Sequence, residues 1–149
     1  MRVLLPDGAK PSADPIADIL RDAKTIAVVG LSSDPMRPSH GVASYLQSAG
    51  YKIFPVNPNK SEVLGERSYA RLEDVPERID IVDIFRKAED VPPVVDGAIH
   101  AGAKVVWMQL GIEHPEAAEK ARKAGLIVVM DACTLIEHKA RREKLIPRA

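Results

Sequence analysis

Apolar residues along the chain gather into five short runs. The runs are TIAVVG (25–30), YKIFPV (51–56), IDIVDIF (79–85), KVVWMQL (104–110) and LIVVMD (126–131). Runs of this length that are rich in β-branched residues are typical of buried β-strands. Because an unbroken apolar run indicates burial on both faces, the pattern favours the strands of a parallel sheet.

Between these runs the chain carries helical spacing of apolar residues and recognisable helix ends. Helices are predicted over residues 14–23, 39–50, 89–101, 114–125 and 134–144. Asp14 and Pro15 are suited to the N-cap and first position of the first helix, and Ser39 to the N-cap of the second. Gly50 is suited to the position just after a helix.

Strands that alternate with helices predict an α/β fold. We expect a Rossmann-like open parallel sheet of about five strands with helices on both faces. The 149 residues are typical of one domain, so residues 1–149 are expected to form a single unit, with residues 1–13 as a flexible leader outside the core. Residues 59–80 are longer than a usual connection and predict an irregular crossover.

The charge balance and the cysteine content limit the functions and locations expected for this chain. Lys and Arg together number 21, as do Asp and Glu, so no net field favours nucleic acid or an anionic membrane surface. No stretch approaches the roughly 20 apolar residues of a membrane span. Cys133 is the only cysteine, which predicts a reducing, cytoplasmic location. With no second cysteine or spaced histidine pair, no metal site is expected.

The turn after the first run carries the candidate chemistry. In open parallel sheets, ligands bind beyond the carboxyl ends of the strands, where the strand order reverses. The chain reads GLSSDPMRPS there, in which Gly30 permits a tight turn and Ser32 and Ser33 offer hydroxyls. Ser39 would open a helix whose free N–H groups face an anion, and Arg37 adds a forked positive charge. Together these residues predict a phosphate cradle.

The same turn departs from the dinucleotide fingerprint. That fingerprint requires glycines two and five positions after Gly30, where this chain has Ser32 and Pro35. The second run is followed by Asn57 and Lys60 instead of the acidic residue that binds the ribose of NAD. An amide donor and a cation suit a nucleotide with an extra ribose phosphate, which both coenzyme A and NADP carry.

Several segments together resemble a known family. The pattern G-x-S-x-x-P-x-R-P-S, followed by PVNP and by the IFR segment, is similar to that of the small stand-alone CoA-binding proteins. It also resembles the N-terminal domain of succinyl-CoA synthetase α subunits and of related ADP-forming acyl-CoA synthetases. The similarity extends over nearly all of the chain after Lys24.

The resemblance implies that the ligand is coenzyme A and assigns residues to its parts. It implies phosphate contacts from Gly30, Ser32, Arg37 and Ser39, an adenosine site at Val56, Asn57, Pro58 and Lys60, and a groove toward the pantetheine at Phe85 and Arg86. In the synthetases the phosphohistidine and the ligase machinery lie in further domains. None of His40, His100, His114 and His138 is therefore expected to be that catalytic residue. The prediction is a module that binds CoA or a short acyl-CoA without a complete catalytic site.

Two other functions remain open. One is an NADP-dependent oxidoreductase that uses the same turn, and the other is an interaction subunit that joins a ligase-domain partner protein to form a split acyl-CoA synthetase. Cys133 is a separate redox candidate, because it follows the fifth run near a predicted helix start that would stabilise its thiolate. It would then form a mixed disulfide with the CoA thiol, whereas a buried cysteine would stay inert.

Overall fold

The computed structural model describes residues 1–146. Within this range the strands are β1 Arg2–Leu4, β2 Thr25–Val29, β3 Lys52–Val56, β4 Glu62–Val63, β5 Glu66–Arg67, β6 Ile81–Ile84, β7 Val105–Met108 and β8 Ile127–Met130. The helices are α1 Pro15–Asp22, α2 Pro38–Ser48, α3 Val91–His100, α4 Pro115–Lys123, α5 Thr134–Ala140 and α6 Arg142–Leu145. None of these helices is long and apolar enough to cross a membrane.

The predicted fold class is confirmed. Six strands form one sheet in the order β1-β8-β7-β6-β2-β3, in which every neighbouring pair is parallel except β1 with β8. Buried residues of α1 and α2 pack on one face of the sheet, and those of α3 and α4 pack on the other. The chain runs from β2 outward to β3 and then crosses to β6 on the opposite side of β2. The strand order therefore reverses between β2 and β6, which makes this the point where a ligand is expected.

The first residues correct the expectation that positions 1–13 lie outside the fold. Arg2 pairs with Met130 and Leu4 with Val128, so β1 extends the sheet antiparallel to β8. Without β1, β8 would be an edge strand with unpaired backbone groups. Three residues followed closely by Pro6 are too few for a periodic pattern to indicate a strand.

Two other segments differ from the prediction: the crossover contains regular structure, and the last helix is interrupted. The crossover between β3 and β6 contains the hairpin β4–β5, closed by Leu64 and Gly65 at φ values of 55° and 74°. Two consecutive residues with positive φ are typical of a tight hairpin turn. The last predicted helix is interrupted at Arg141, which separates α5 from α6.

Candidate functional site

Three chain segments meet at the carboxyl edge of the sheet beside the strand-order reversal. Gly30 follows β2 directly, Asn57 follows β3 and Phe85 follows β6. The Gly30 N–H donates to the carbonyl oxygen of Val56 at 2.9 Å, and the Phe85 N–H donates to that of Val29 at 2.9 Å. Segments that lie far apart in the sequence are thus held together by backbone hydrogen bonds.

Gly30 is required by its surroundings. Its φ of +86° lies in the left-handed region, and a Cβ at this position would overlap the carbonyl oxygen of Phe85 and lie 3.3 Å from Nε of Arg86. Only glycine allows the two backbones to approach so closely. The absence of a side chain therefore lets the ends of β2 and β6 come into contact beside Arg86.

The serine hydroxyls organise the turn after Gly30. Ser39 is buried, and its Oγ accepts a hydrogen bond from the Ser32 N–H at 3.0 Å. The Ser32 Oγ accepts from the Asp34 N–H at 3.0 Å, and Asp34 Oδ1 accepts from the Met36 N–H at 2.9 Å. Ser33 is exposed. Each bonded hydroxyl still has its own hydrogen, which remains available as a donor.

The N-cap predicted at Ser39 is wrong. Helix α2 begins at Pro38 with Arg37 as its N-cap, and the Arg37 side chain makes no capping hydrogen bond. Proline suits the first helical position because its φ is fixed and it has no N–H to satisfy there. The helix therefore starts two residues earlier than predicted, and the Ser39 hydroxyl accepts a hydrogen bond from the turn instead of capping the helix.

Asn57 connects the second turn to the first. Its Nδ2 donates to the carbonyl oxygen of Leu31 at 3.1 Å, and its Oδ1 accepts from the Asn59 N–H at 3.0 Å. One amide hydrogen of Asn57 is left for another acceptor. Val56 is buried in the core, whereas Pro58 and Lys60 are exposed.

Three cations lie around this edge. Arg37 and Lys60 are exposed and Arg86 is half-buried. Within residues 1–146 no carboxylate forms a salt bridge with any of the three, although many other cations of the chain are paired. Guanidinium and ammonium groups that lack a carboxylate partner suit an anionic ligand such as a phosphate.

A buried carboxylate lies in the strand that leads to Phe85, and the apolar pattern of that run does not single it out. Asp83 of β6 is fully buried, and its Oδ1 accepts from Gln109 Nε2 at 2.5 Å while its Oδ2 accepts from Thr134 Oγ1 at 3.0 Å. Gln109 Nε2 also donates to Thr134 Oγ1 at 2.9 Å. Burial raises the pKa of Asp83 to about 7, although both hydrogen bonds act in the opposite direction. The one signal in the sequence is a charged residue inside an otherwise apolar run.

Cys133 lies directly before α5, as the sequence predicts. It is half-buried, is a free cysteine and is followed by Thr134 of the buried network. Its backbone forms the N-cap of α5 without a side-chain capping bond. A reactive thiolate must be accessible, and Cys133 is only partly so. Its proposed redox role stays a prediction.

Comparison with known proteins identifies relatives of nearly the same length. Residues 24–139 match the family described as CoA binding domain. The uncharacterized protein YneT of Bacillus subtilis is 41% identical over 128 residues, which is 86% of this chain and 95% of YneT. The solved structure of a hypothetical protein from Pyrococcus horikoshii OT3 aligns with a TM-score of 0.84 at 41% identity, over 94% of this chain and 98% of that one.

A second group of relatives consists of larger proteins. The alpha subunit of acetate–CoA ligase (ADP-forming) II from Pyrococcus furiosus is 28% identical over 127 residues. The match covers 78% of this chain but only 28% of the ligase subunit. The chain thus corresponds to about a quarter of that subunit.

Proposed function

This chain belongs to the CoA-binding domain family, and from that premise we propose that it binds coenzyme A or a short acyl-CoA without a complete catalytic site of its own. Three segments meet at the strand-order reversal, where Gly30 lets the ends of β2 and β6 come into contact, and this meeting is the main support for the proposal. Arg37, Lys60 and Arg86 lie at this edge of the sheet, and no carboxylate of residues 1–146 is paired with them. CoA carries a diphosphate and a ribose phosphate, so its anionic groups match these cations.

The diphosphate is assigned to the turn after Gly30. Phosphate oxygens would bind to this turn, where Arg37 offers a forked pair of donors. Ser32 and Ser39 hold the turn in shape and keep one hydroxyl hydrogen each. Ser33 is exposed beside them and adds a further hydroxyl.

The two ends of the ligand are assigned to the other segments. Lys60 and the free amide hydrogen of Asn57 bind the ribose phosphate, while Pro58 lines the adenosine site and the buried Val56 supports it from the core. The pantetheine arm runs along Phe85 and Arg86. These two residues are half-buried, so each presents part of its side chain to a ligand.

Isothermal titration calorimetry tests this assignment. CoA is expected to bind clearly tighter than NAD, which lacks the ribose phosphate. An Arg86→Ala variant should bind CoA more weakly, while Arg78→Ala, an exposed arginine in the loop before β6, serves as the matched control. Equal affinities for CoA and NADP would instead favour the oxidoreductase alternative.

A second candidate function rests on the ligase relatives. Because the matched region is about a quarter of the Pyrococcus furiosus subunit, we propose as an alternative that this chain supplies the CoA site to a partner protein that carries ligase domains. Acyl-CoA formation from acetate, CoA and ATP would then require both proteins. A ligase-domain protein that is equally active alone would remove this alternative. The single cysteine remains the support for a cytoplasmic location.

A further inference from the structure

Asp83 occupies a place in the sheet that is unusual for a carboxylate. In the register of the sheet it lies between Val28 of β2 and Trp107 of β7, and all three residues are buried. Within residues 1–146 no lysine, arginine or histidine forms a salt bridge with Asp83, and its side-chain hydrogen-bond partners are the neutral Gln109 and Thr134. A buried charge without a counter-charge is unfavourable, so its ionisation responds strongly to the charges around it.

The hydrogen bonds of the network indicate what protonation changes. Gln109 uses both amide hydrogens, one on Asp83 and one on Thr134, and the Thr134 hydroxyl donates to Asp83. Every donor is used when Asp83 is an ionised acceptor. When Asp83 takes up a proton at Oδ2, this oxygen donates to Thr134 Oγ1, and the Thr134 hydroxyl hydrogen must turn to another acceptor. The three side chains stay hydrogen-bonded to one another in both protonation states of Asp83.

The elements around Asp83 contribute few other charged or titratable groups. Strands β2 and β7 carry no charged or titratable side chain next to Asp83. The charged and titratable residues that flank β6 or lie on the surrounding elements are Lys24, Arg37, His40, Tyr45, Asp80, Arg86, Lys104, Cys133, Glu137, His138 and Lys139. Of these, Glu137 is paired with Arg141, and His138 is bonded to the Tyr45 hydroxyl. Asp80 and Lys104 are paired at the opposite end of the strands.

The network adjoins the edge assigned to CoA. Asp83 comes two residues before Phe85 and three before Arg86, and Thr134 directly follows Cys133. Gln109 follows β7 at the same edge, where its N–H donates to the carbonyl oxygen of Ile84 at 3.4 Å. An anion bound around Gly30 and Arg86 would therefore lie at the end of the strand that carries the buried Asp83.

We propose that CoA binding at this edge is coupled to proton uptake by Asp83, so that the protein binds CoA more tightly as the pH falls through neutrality. This inference rests on the proposed function. Phosphates bound beside Arg86 add negative charge near the buried carboxyl group, and negative charge disfavours its ionised form. The proton comes from solvent, and it leaves again when CoA dissociates.

The pKa of about 7 makes the coupling measurable at neutral pH, because both forms of Asp83 are then present in the free protein. If bound CoA raises this pKa by about one unit, roughly 0.4 proton is taken up per CoA at pH 7. As the pH rises across the neutral range, the contribution of Asp83 to CoA affinity would then fall by up to about tenfold.

Calorimetry in two buffers with different heats of ionisation counts these protons. Wild-type protein, Asp83→Asn and Asp80→Asn are titrated with CoA at pH 7 in PIPES and in Tris, neither of which brings a competing phosphate. An asparagine at position 83 still accepts from Gln109 and donates to Thr134. Asp80 is the matched control at the far end of the strand. Although burial acts in the opposite direction, backbone hydrogen bonds from Lys24 and Thr25 hold the pKa of Asp80 below its ordinary value.

We expect wild type and Asp80→Asn to take up about 0.4 proton more per CoA than Asp83→Asn. Equal proton counts in all three proteins, with CoA bound by each, would overturn the coupling and leave the proposed function intact. Absence of CoA binding by the wild-type protein would overturn both proposals. If Asp83→Asn does not fold, the NMR titration of carboxyl-labelled aspartate in the wild type decides instead. The Asp83 signal must titrate at higher pH with CoA than without it, and an unchanged midpoint would refute the coupling.

Discussion

Gly30 and Phe85 are in such close contact that no side chain fits at position 30. A Cβ on Gly30 would overlap the Phe85 carbonyl oxygen, and Gly30 has a φ of +86°. This contact joins the turn after β2 to the end of β6 at the strand-order reversal. The candidate CoA site therefore depends on the close approach of two backbone segments that are distant in the sequence.

Replacing Gly30 with alanine should destabilise the protein and abolish CoA binding. Left-handed backbone alone costs alanine about 1–2 kcal/mol, and displacement of the Phe85 carbonyl adds to this cost. Gly102→Ala is the matched control, because Gly102 has a φ of +73° and a Cβ added there would meet no other atom within 4 Å. Urea denaturation should give a clearly larger loss for Gly30→Ala. Equal losses in both variants would show that the contact with Phe85 is not tight.

Replacing Arg37 with alanine should weaken CoA binding about tenfold or more, because a charge-assisted contact with the diphosphate is lost. The thermal midpoint without ligand should change little, since Arg37 is exposed and forms no salt bridge within residues 1–146. Calorimetric titration measures the affinity, with Arg78→Ala as the control for loss of one exposed positive charge. An affinity equal to that of the control would remove Arg37 from the site.

Lys60 should distinguish CoA from dephospho-CoA. The wild-type protein is expected to prefer CoA, and Lys60→Ala should lose most of that preference because the ribose phosphate loses its cation. Lys123→Ala removes an equal charge from an exposed position at the end of α4 and serves as the control. Competition between the two ligands measures the preference directly. A preference that survives in Lys60→Ala would assign the ribose phosphate to another residue.

The sequence predicts the sheet and most helix ends because local chemistry determines them. The five apolar runs correspond to β2, β3, β6, β7 and β8. The N-cap of α1 is confirmed, since Asp14 Oδ1 accepts from the Ala17 N–H at 3.2 Å. Strand β1 escapes prediction because its pairing with β8 is a long-range contact that three residues cannot signal.

The sequence identifies several residues of the candidate site but not the contacts between them. Gly30 is identifiable as a turn residue, yet its contact with Phe85 depends on the strand order. Ser39 is also recognisable, but its hydrogen bond to Ser32 replaces the capping role expected of it. Asp83 escapes prediction because an apolar run indicates burial without showing which neutral partners surround a single carboxylate.

Cys133 should form a mixed disulfide with CoA under oxidising conditions. Its thiolate would attack CoA disulfide, forming one protein–CoA disulfide and releasing one CoA thiol. Half-burial beside the start of α5 leaves part of the residue accessible. Intact-mass analysis should show a reductant-sensitive adduct in the wild type and none in Cys133→Ser. A wild-type protein that binds CoA but stays unmodified would contradict this prediction.

Asp83 should also make the stability of the free protein depend on pH. Its pKa in the folded state, about 7, is above the ordinary value of 3.8, so between these values the folded state holds a proton that the unfolded state releases. This contribution is complete below about pH 4 and is lost as the pH rises to about 7. Asp83→Asn should therefore gain about 2–4 kcal/mol relative to the wild type between pH 4 and pH 7. Urea denaturation of both proteins at pH 4 and at pH 7 measures their free energies of unfolding. If the difference between the two proteins is the same at both pH values, the prediction is contradicted.

We expect the carboxyl edge of this sheet to select coenzyme A. Native mass spectrometry of the wild-type protein, mixed with equal concentrations of CoA, dephospho-CoA, NAD and NADP, measures this selection. We predict one dominant complex with one CoA per chain, and its loss in Gly30→Ala. A dominant NADP complex, or no complex with any of the four ligands, would contradict the claim.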